Sequence, residues 1–346
     1  MENAIKELLG KFASYEDEMP HFPKEGYTPI KISNENFHKI NKSGSKDDSS
    51  TKIAFIDAGN QEICGAHNFS LQMIRTYYCI YQENKRIEKE TFEAYALITA
   101  VKKEKSLFYE AKFFFREKIL KLGDISFDAY DQTLSAGNRI VKVEAIGDEV
   151  RKFIELTLAK NICEKVRGGF LVLDTTLEAT VSGEKKLFDS LFEAAKKNGV
   201  TVAALSKTTS IFTESGNSVI AILNSLSPKN EWFYHPLVKI DNPNHKAELF
   251  LVKLNSKSKY VFRLETEKNY EHKIDELLSI LTENAKDPVF LGYPYGLIEA
   301  DRFARVSNRE VDVKRTQLFV KLGKDFEKLK NYLNTNNAHN ILDNIS

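Results

Sequence analysis

Apolar residues along the chain fall into two rhythms, period two and period 3.6, and the points where one gives way to the other mark most element boundaries. The opening stretch from Met1 to Leu9 mixes charges with apolar residues at helical spacing and predicts a short amphipathic helix. Met19 to Ser50 carries Pro20, Pro23 and Pro29 and ends in the polar run from Asn41 to Ser50, the pattern of an arm ending in a loop. Ile53-Ala54-Phe55-Ile56 then runs apolar into Asp57, with Gly59 behind it, and predicts a buried strand delivering a carboxylate at its end. Asn68 to Tyr81 and Glu93 to Val101, rich in β-branched and aromatic residues, predict strands returning beside the first as a three-stranded meander.

Helical spacing follows from Tyr109 to Leu122 and from Ala145 to Val166, the second run placing Val150, Phe153, Ile154 and Leu158 on one side. Gly169-Phe170-Leu171-Val172-Leu173-Asp174 repeats the pattern of a short strand ending in an acid. A helix from Glu184 to Asn198, stopped by Gly199, and a strand from Val200 to Leu205 come next. Strand, helix and strand in this order imply a right-handed parallel crossover, hence a mixed sheet with helices packed on it. Strands are predicted at Val219 to Leu223, Ala247 to Leu254 and Lys259 to Leu264. A helix at Tyr270 to Asn284, a strand-like Val289 to Gly292, and helices at Leu297 to Val306 and Thr316 to Leu333 follow. The Asn-rich end is expected to be a mobile tail. No internal repeat is evident.

Composition narrows the class. A chain of 346 residues with 42% hydrophobic residues can bury a substantial core as one large domain or two modest ones. Its 50 Lys and Arg against 49 Asp and Glu leave a net charge of +1, so any polyanion site must rest on local segregation of charge. Cys64, Cys79 and Cys163 are scattered, without the spacing of a zinc site or a disulfide framework, which fits a reducing cytoplasm. Neither a signal peptide nor a segment able to cross a bilayer is recognisable, so no membrane role is expected.

Two strands that each run into an aspartate can place Asp57 and Asp174 side by side if they are neighbours, at the strand ends where ligands of open α/β sheets gather. Hard cations such as Mg²⁺ and Mn²⁺ prefer such carboxylates, and a pair of ions can activate water while stabilising the oxygen leaving a phosphodiester. Each acid also has a plainer reading: Asp57 before Gly59 as a turn residue, Asp174 before Thr175-Thr176 as a helix cap. His67, His235 and His245 lack metal-ligand spacing, and His235 beside Pro236 reads as structural.

Ile56-Asp57-Ala58-Gly59-Asn60, Leu171-Val172-Leu173-Asp174 and the stretch Gly292-Tyr293-Pro294-Tyr295-Gly296-Leu297-Ile298-Glu299-Ala300-Asp301-Arg302 resemble, in this order, successive motifs of the NurA nuclease family. The similarity runs from about Lys52 to about Asn308, and the Tyr-Pro-Tyr stretch is its most specific part. Alanine at position 58 is a mild change where glycine or another small residue is expected directly after the acid. The resemblance implies a ribonuclease H-like α/β fold, a mixed β-sheet flanked by helices, with helical additions at both termini. Residues 51–309 would form the nuclease domain, 1–50 an N-terminal helix and arm, and 310–346 a C-terminal helix and tail. It implies a metal site of Asp57, Glu155 and Asp174 for Mn²⁺ or Mg²⁺, as two ions, with Asp301 a further candidate ligand. Glu144 and Glu149 compete with Glu155 for the glutamate position, and Glu155 has the plainer reading of an ion pair with Arg151, as Asp301 has with Arg305. Lys207, just past a strand end, resembles a family position that can neutralise a phosphate, and is otherwise a solvated loop lysine. Tyr293 and Tyr295 are candidates to stack on unpaired bases or to anchor a turn, and Arg302 is a further DNA-facing candidate.

The implied activity is metal-dependent DNA cleavage, 5′-to-3′ exonuclease with single-strand endonuclease, by a homodimer working with a HerA-type hexameric translocase to prepare DNA ends for recombinational repair. Two other classes stay open. An actin-like ATPase would need glycine-rich phosphate turns, whereas Gly168-Gly169 precedes its strand. A non-catalytic DNA-binding scaffold would not require Asp57, Glu155 and Asp174.

Overall fold

The structure, a computed structural model, describes residues 1–10, 18–41, 51–116, 120–134, 140–268 and 273–333. Its strands are β1 (Pro20–His21), β2 (Tyr27–Pro29), β3 (Phe37–Lys39), β4 (Lys52–Ala66), β5 (Phe69–Gln82), β6 (Lys85–Lys103), β7 (Ser106–Phe115), β8 (Ile125–Asp128), β9 (Phe170–Leu173), β10 (Thr201–Ser206), β11 (Phe212–Thr213), β12 (Trp232–Tyr234), β13 (Val238–Ile240), β14 (Ala247–Lys253) and β15 (Phe262–Glu267). The helices are α1 (Glu2–Gly10), α2 (Ile146–Ile162), α3 (Glu184–Asn198), α4 (Val219–Leu226), α5 (Ile274–Asn284), α6 (Tyr295–Ala304) and α7 (Asn308–Leu322). Among the described residues, 11 strands form one sheet in the order β3-β12-β14-β15-β10-β9-β4-β5-β6-β7-β8, while β1 pairs with β11 and β2 with β13. The β4–β9 pair is parallel and the β4–β5, β10–β15 and β14–β15 pairs are antiparallel. This is the mixed sheet with flanking helices that the sequence predicts, with α1 and α7 added near the two termini.

The chain forms two compact units, residues 1–48 with 174–178 and 203–295, and residues 49–173 with 179–202 and 296–346. In the first, Trp232, Tyr234, Leu249 and Leu251 pack with Val219 and Leu223 of α4. In the second, β4 to β8 run as a five-stranded antiparallel meander, two strands longer than predicted.

Three elements differ from expectation. The stretch from Tyr109 to Leu122 contains strand β7 instead of a helix, because a turn at Glu104 (φ 52°) folds it back along β6 in register from Lys103↔Ser106 to Ala94↔Phe115. Its aromatic residues suit a pleated surface, and the partner strand outweighs their helical spacing. Val219 to Leu223 is helical: the Ser218 hydroxyl caps the amide of Ala221, and Val219, Ile222 and Leu223 bury one helical face. Val289 to Gly292 is not a strand, since the Asp287 carboxylate accepts from the amide of Val289 and Pro288 opens a 3₁₀ turn. The loop predicted to end the arm, from residue 42, and the expected tail, from residue 334, lie outside the described residues.

β4 also runs on through Asp57 to Ala66, so Gly59 is not a turn. The absence of a side chain there serves close approach instead: a Cβ at Gly59 would meet the carbonyl oxygen of Ala304 at 2.6 Å, and one at Gly296 would meet the Phe55 ring at 2.0 Å. These two glycines let α6 lie against β4, while α2 lies on the other face, where a Cβ at Gly147 would meet Gln72 of β5 at 2.6 Å. Gly296→Ala should therefore destabilise the protein by about 1–3 kcal/mol through overpacking, read as a lower urea midpoint at unchanged slope. An unshifted midpoint would show that α6 can move off the strand at no cost.

Candidate active site

Parallel pairing of β4 with β9 runs from Ile53↔Phe170 to Ile56↔Leu173 and stops there. The next residue on each strand is an aspartate, so the pairing that ends the ladder also brings Asp57 and Asp174 abreast. β4 continues past its neighbour, which explains how a mid-strand residue comes to sit at a strand end of the sheet. From α6, packed on the same face of β4 as Asp57, comes Asp301. One carboxylate oxygen from each of Asp57, Asp174 and Asp301 lies within 4.8 Å of the others, with Asp57 buried, Asp174 half-buried and Asp301 exposed.

Two unit charges about 5 Å apart repel by roughly 3 kcal/mol at the effective dielectric of a protein surface, so three carboxylates gathered this closely call for positive charge. Lys207 supplies some of it: its Nζ lies 2.5 Å from Oδ2 of Asp174 and 5.9 Å from the centre of the Tyr293 ring. The Tyr293 hydroxyl donates to Oδ1 of the same aspartate at 3.1 Å. A set of oxygen donors graded from buried to exposed, with only one of its three carboxylates paired to this ammonium, fits a hard divalent cation that approaches from solvent. The Asp57 carboxylate is oriented locally, its Oδ1 accepting the amide of Ala58 at 2.7 Å.

The other predicted site residues fall in distinct places. Glu155, 2% exposed on α2, is outside the three-carboxylate group. Arg151 on the same helix donates to its Oε2 at 3.4 Å and to the carbonyl of Ala58 at 3.0 Å, which ties the glutamate to the residue after Asp57. The ion pair anticipated as the plainer role of Glu155 thus exists, beside the site. Tyr293 is 1% exposed and packed edge-on against Phe262 (5.0 Å), so stacking on a base has no open ring face here. Its hydroxyl reaches Asp174. Tyr295 is half-buried at the start of α6, and Arg302 is exposed next to Asp301.

A residue that the sequence did not single out holds α6 in place. Glu299, 2% exposed, accepts from the hydroxyls of Tyr77 (2.5 Å) and Tyr81 (2.6 Å) and from Nη1 of Arg86 (2.6 Å). Tyr77 is the cross-strand partner of Asp57, so the strand residue opposite one acid grips the helix two residues from another. Burial opposes ionisation of Glu299, but the bonds from Tyr77, Tyr81 and Arg86 outweigh it and hold the carboxyl below its usual range. Burial and the charge of Glu299 in turn push both phenols up. The available signal was a lone acid on the apolar face of α6, among Gly296, Leu297 and Ala300.

A mixed α/β sheet that gathers carboxylates beside a lysine where its strands end has the donors to hold a divalent cation. The NurA domain family matches residues 51–306, and the chain belongs to this family of nucleases. That span contains Asp57, Glu155, Asp174, Lys207, Tyr293, Tyr295, Asp301 and Arg302. Among solved structures, the NurA nuclease from Sulfolobus solfataricus is 14% identical over 84% of this chain and 89% of its own, with a TM-score of 0.49. Endonuclease V of Ciona intestinalis is 10% identical over 78% of this chain and 91% of its own, with a TM-score of 0.36. A sequence search of curated proteins gives no match.

Glu299→Gln presents an amide group to three donors and should destabilise the protein by about 3 kcal/mol, at the lower end for a broken buried pair because Arg86 keeps access to water. The folded carboxyl titrates below the unfolded one, so its contribution is complete above the ordinary carboxylate range near about 4.3 and is lost as pH falls through the depressed value. The gap in denaturant midpoint between native and variant protein should accordingly narrow below about pH 4. A gap that is constant with pH would mean that the charge of Glu299 contributes nothing.

Proposed function

We propose that this protein is a divalent-metal-dependent deoxyribonuclease that trims DNA ends for recombinational repair, as a 5′-to-3′ exonuclease and single-strand endonuclease. The observation that carries the reading is the convergence of Asp57, Asp174 and Asp301 within 4.8 Å, in a chain of the NurA family. These three would hold Mn²⁺ or Mg²⁺, as two ions, with Glu155 the fourth candidate ligand. When bound, the metal supplies Lewis acidity toward a phosphodiester and its attacking water.

The chain's own residues would do the rest. Lys207, paired with Asp174 and 41% exposed, would turn toward a phosphate once a cation takes over the neutralisation of that carboxylate. Arg302, exposed beside Asp301, can meet the backbone of the same strand, and half-buried Tyr295 offers a ring edge at the start of α6. Tyr293 keeps Asp174 in orientation through its hydroxyl. Family membership further supports a homodimer acting with a HerA-type hexameric translocase, and a nuclease domain over residues 51–309 flanked by an arm at 1–50 and a helix and tail at 310–346. Among the described residues no helix is long and apolar enough to cross a membrane. A cytoplasmic site of action is part of the same proposal.

End-labelled single- and double-stranded DNA, incubated with Mn²⁺, Mg²⁺ or chelator, tests this directly. Native protein should cut in a metal-dependent way, and Asp57→Ala and Asp174→Ala should each lose on the order of a thousandfold in rate, equivalent to about 4 kcal/mol of transition-state stabilisation. Binding that survives chelation with no cleavage in Mn²⁺, alone or with a translocase, would replace the proposal with a non-catalytic DNA-binding scaffold.

A further inference from the structure

Asp174 opens a five-residue segment, 174–178, that belongs to no helix or ladder strand, so its backbone has to be held by side chains. Glu265, on β15, supplies the main tether: its Oε2 accepts the amide of Leu177 at 2.6 Å. The carboxylate is 1% exposed and is gripped on its other oxygen by Arg263, through Nε at 2.6 Å and through Nη2. His245, fully buried, places Nε2 at 3.2 Å from Oε2 of Glu265, and its Nδ1 is 2.9 Å from the hydroxyl of Tyr27. A bridge between Glu178 and His245, a bond from the Ser206 hydroxyl to the carbonyl of Thr175 (2.8 Å) and an ion pair between Lys24 and Glu178 (2.6 Å) add to the anchorage.

A buried carboxylate and imidazole with a half-buried guanidinium are an expensive way to hold a loop, since apolar side chains of the same volume are often neutral or better for stability. What a charged acceptor adds is direction: it fixes one amide at one place. The segment is then pinned by the β9 ladder at Leu173 and by Glu265 at Leu177, with Asp174 just inside the first pin. We propose that Glu265, braced by Arg263 and His245, is a positioning residue that sets the carboxylate of Asp174 for cation binding. This rests on Asp174 acting as a ligand, as in the proposed function above. Glu265 touches neither substrate nor cation and acts only through the backbone of 174–178.

The test uses the full-length protein with Glu265→Gln, which keeps a side-chain oxygen near Leu177 but removes the charge that Arg263 and His245 brace. Three readouts are taken: amide hydrogen exchange over 174–178, Mn²⁺ affinity by calorimetry, and kcat and KM on single-stranded DNA. Exchange at Leu177 should speed by tenfold or more and Mn²⁺ affinity should fall about tenfold, in line with the loss of partners that orient ligands. kcat should fall by a similar factor with KM unchanged. Faster exchange with unaltered Mn²⁺ affinity and kcat would overturn the proposal, because the tether would then be structural only. Should Glu265→Gln not fold, Glu265→Asp, which keeps the charge but retracts the oxygen from Leu177, is expected to move the same readouts in the same direction, and the same null result overturns the proposal. In the native protein itself, a Leu177 amide that exchanges as fast as an open loop would overturn it without any variant. If native protein neither binds Mn²⁺ nor cuts DNA, the functional reading fails instead, and Leu177 exchange still reports whether the tether exists.

Discussion

The last rung of the parallel ladder between β4 and β9, Ile56 opposite Leu173, decides where the acids of this protein stand. A strand that stops leaves its neighbour with an open edge for the residues beyond, and two side chains at matching positions just past the last rung are held a strand spacing apart. Both positions are aspartates here. Much of the electrostatic cost of gathering like charges is thus met by the rigidity of the most buried part of the sheet, where Ala54, Phe55, Ile56, Phe170, Leu171, Val172 and Leu173 are all sealed from solvent.

The third acid arrives by a different route, and its placement depends on two absences. Gly59 and Gly296 allow α6 to approach β4 at backbone distance, and the buried Glu299 then fixes the helix in rotation and along its axis through two phenols and a guanidinium. Successive residues of a strand face opposite sides. Phe55, Asp57 and Gly59 face α6, whereas α2, with Arg151 and Glu155, covers the other side. A glutamate on that helix is therefore separated from the cluster by the backbone of β4, and Arg151, bonded to both Glu155 and the carbonyl of Ala58, links the helix to the residue after Asp57.

Much of this order was legible in residue patterns, for identifiable reasons. α3 has the bounds predicted for it because amphipathic spacing from Glu184 to Asn198 ends at a glycine in the left-handed region (φ 66°), so local and tertiary preferences agree. The short apolar runs into Asp57 and Asp174 gave away the two strands that carry them. What stayed hidden was non-local. β7 has the spacing of a helix and becomes a strand because β6 is there to pair with it. The second half of β4, Asn60-Gln61-Glu62, carries no strand signal of its own and is extended by β5. Glu299, Glu265 and His245 are ordinary polar letters in the sequence, and only burial beside specific donors reveals them as anchors. Tyr293 shows the same limit in reverse: its aromatic ring suggested stacking, while its packing leaves only the hydroxyl for use.

Cys64, Cys79 and Cys163 are all buried and unbridged. Burial pushes the Cys64 thiol up to about 11, with Glu62 adding to the effect, and raises Cys79 further in the same direction. Since the thiolate is the reactive form, Cys64 and Cys79 are shielded both sterically and by their protonation, and Cys163 by its burial. A maleimide fluorophore or cross-linker aimed at a single cysteine introduced on the surface would find that one alone. The chain can thus be labelled for single-molecule work without first stripping its own cysteines from the core.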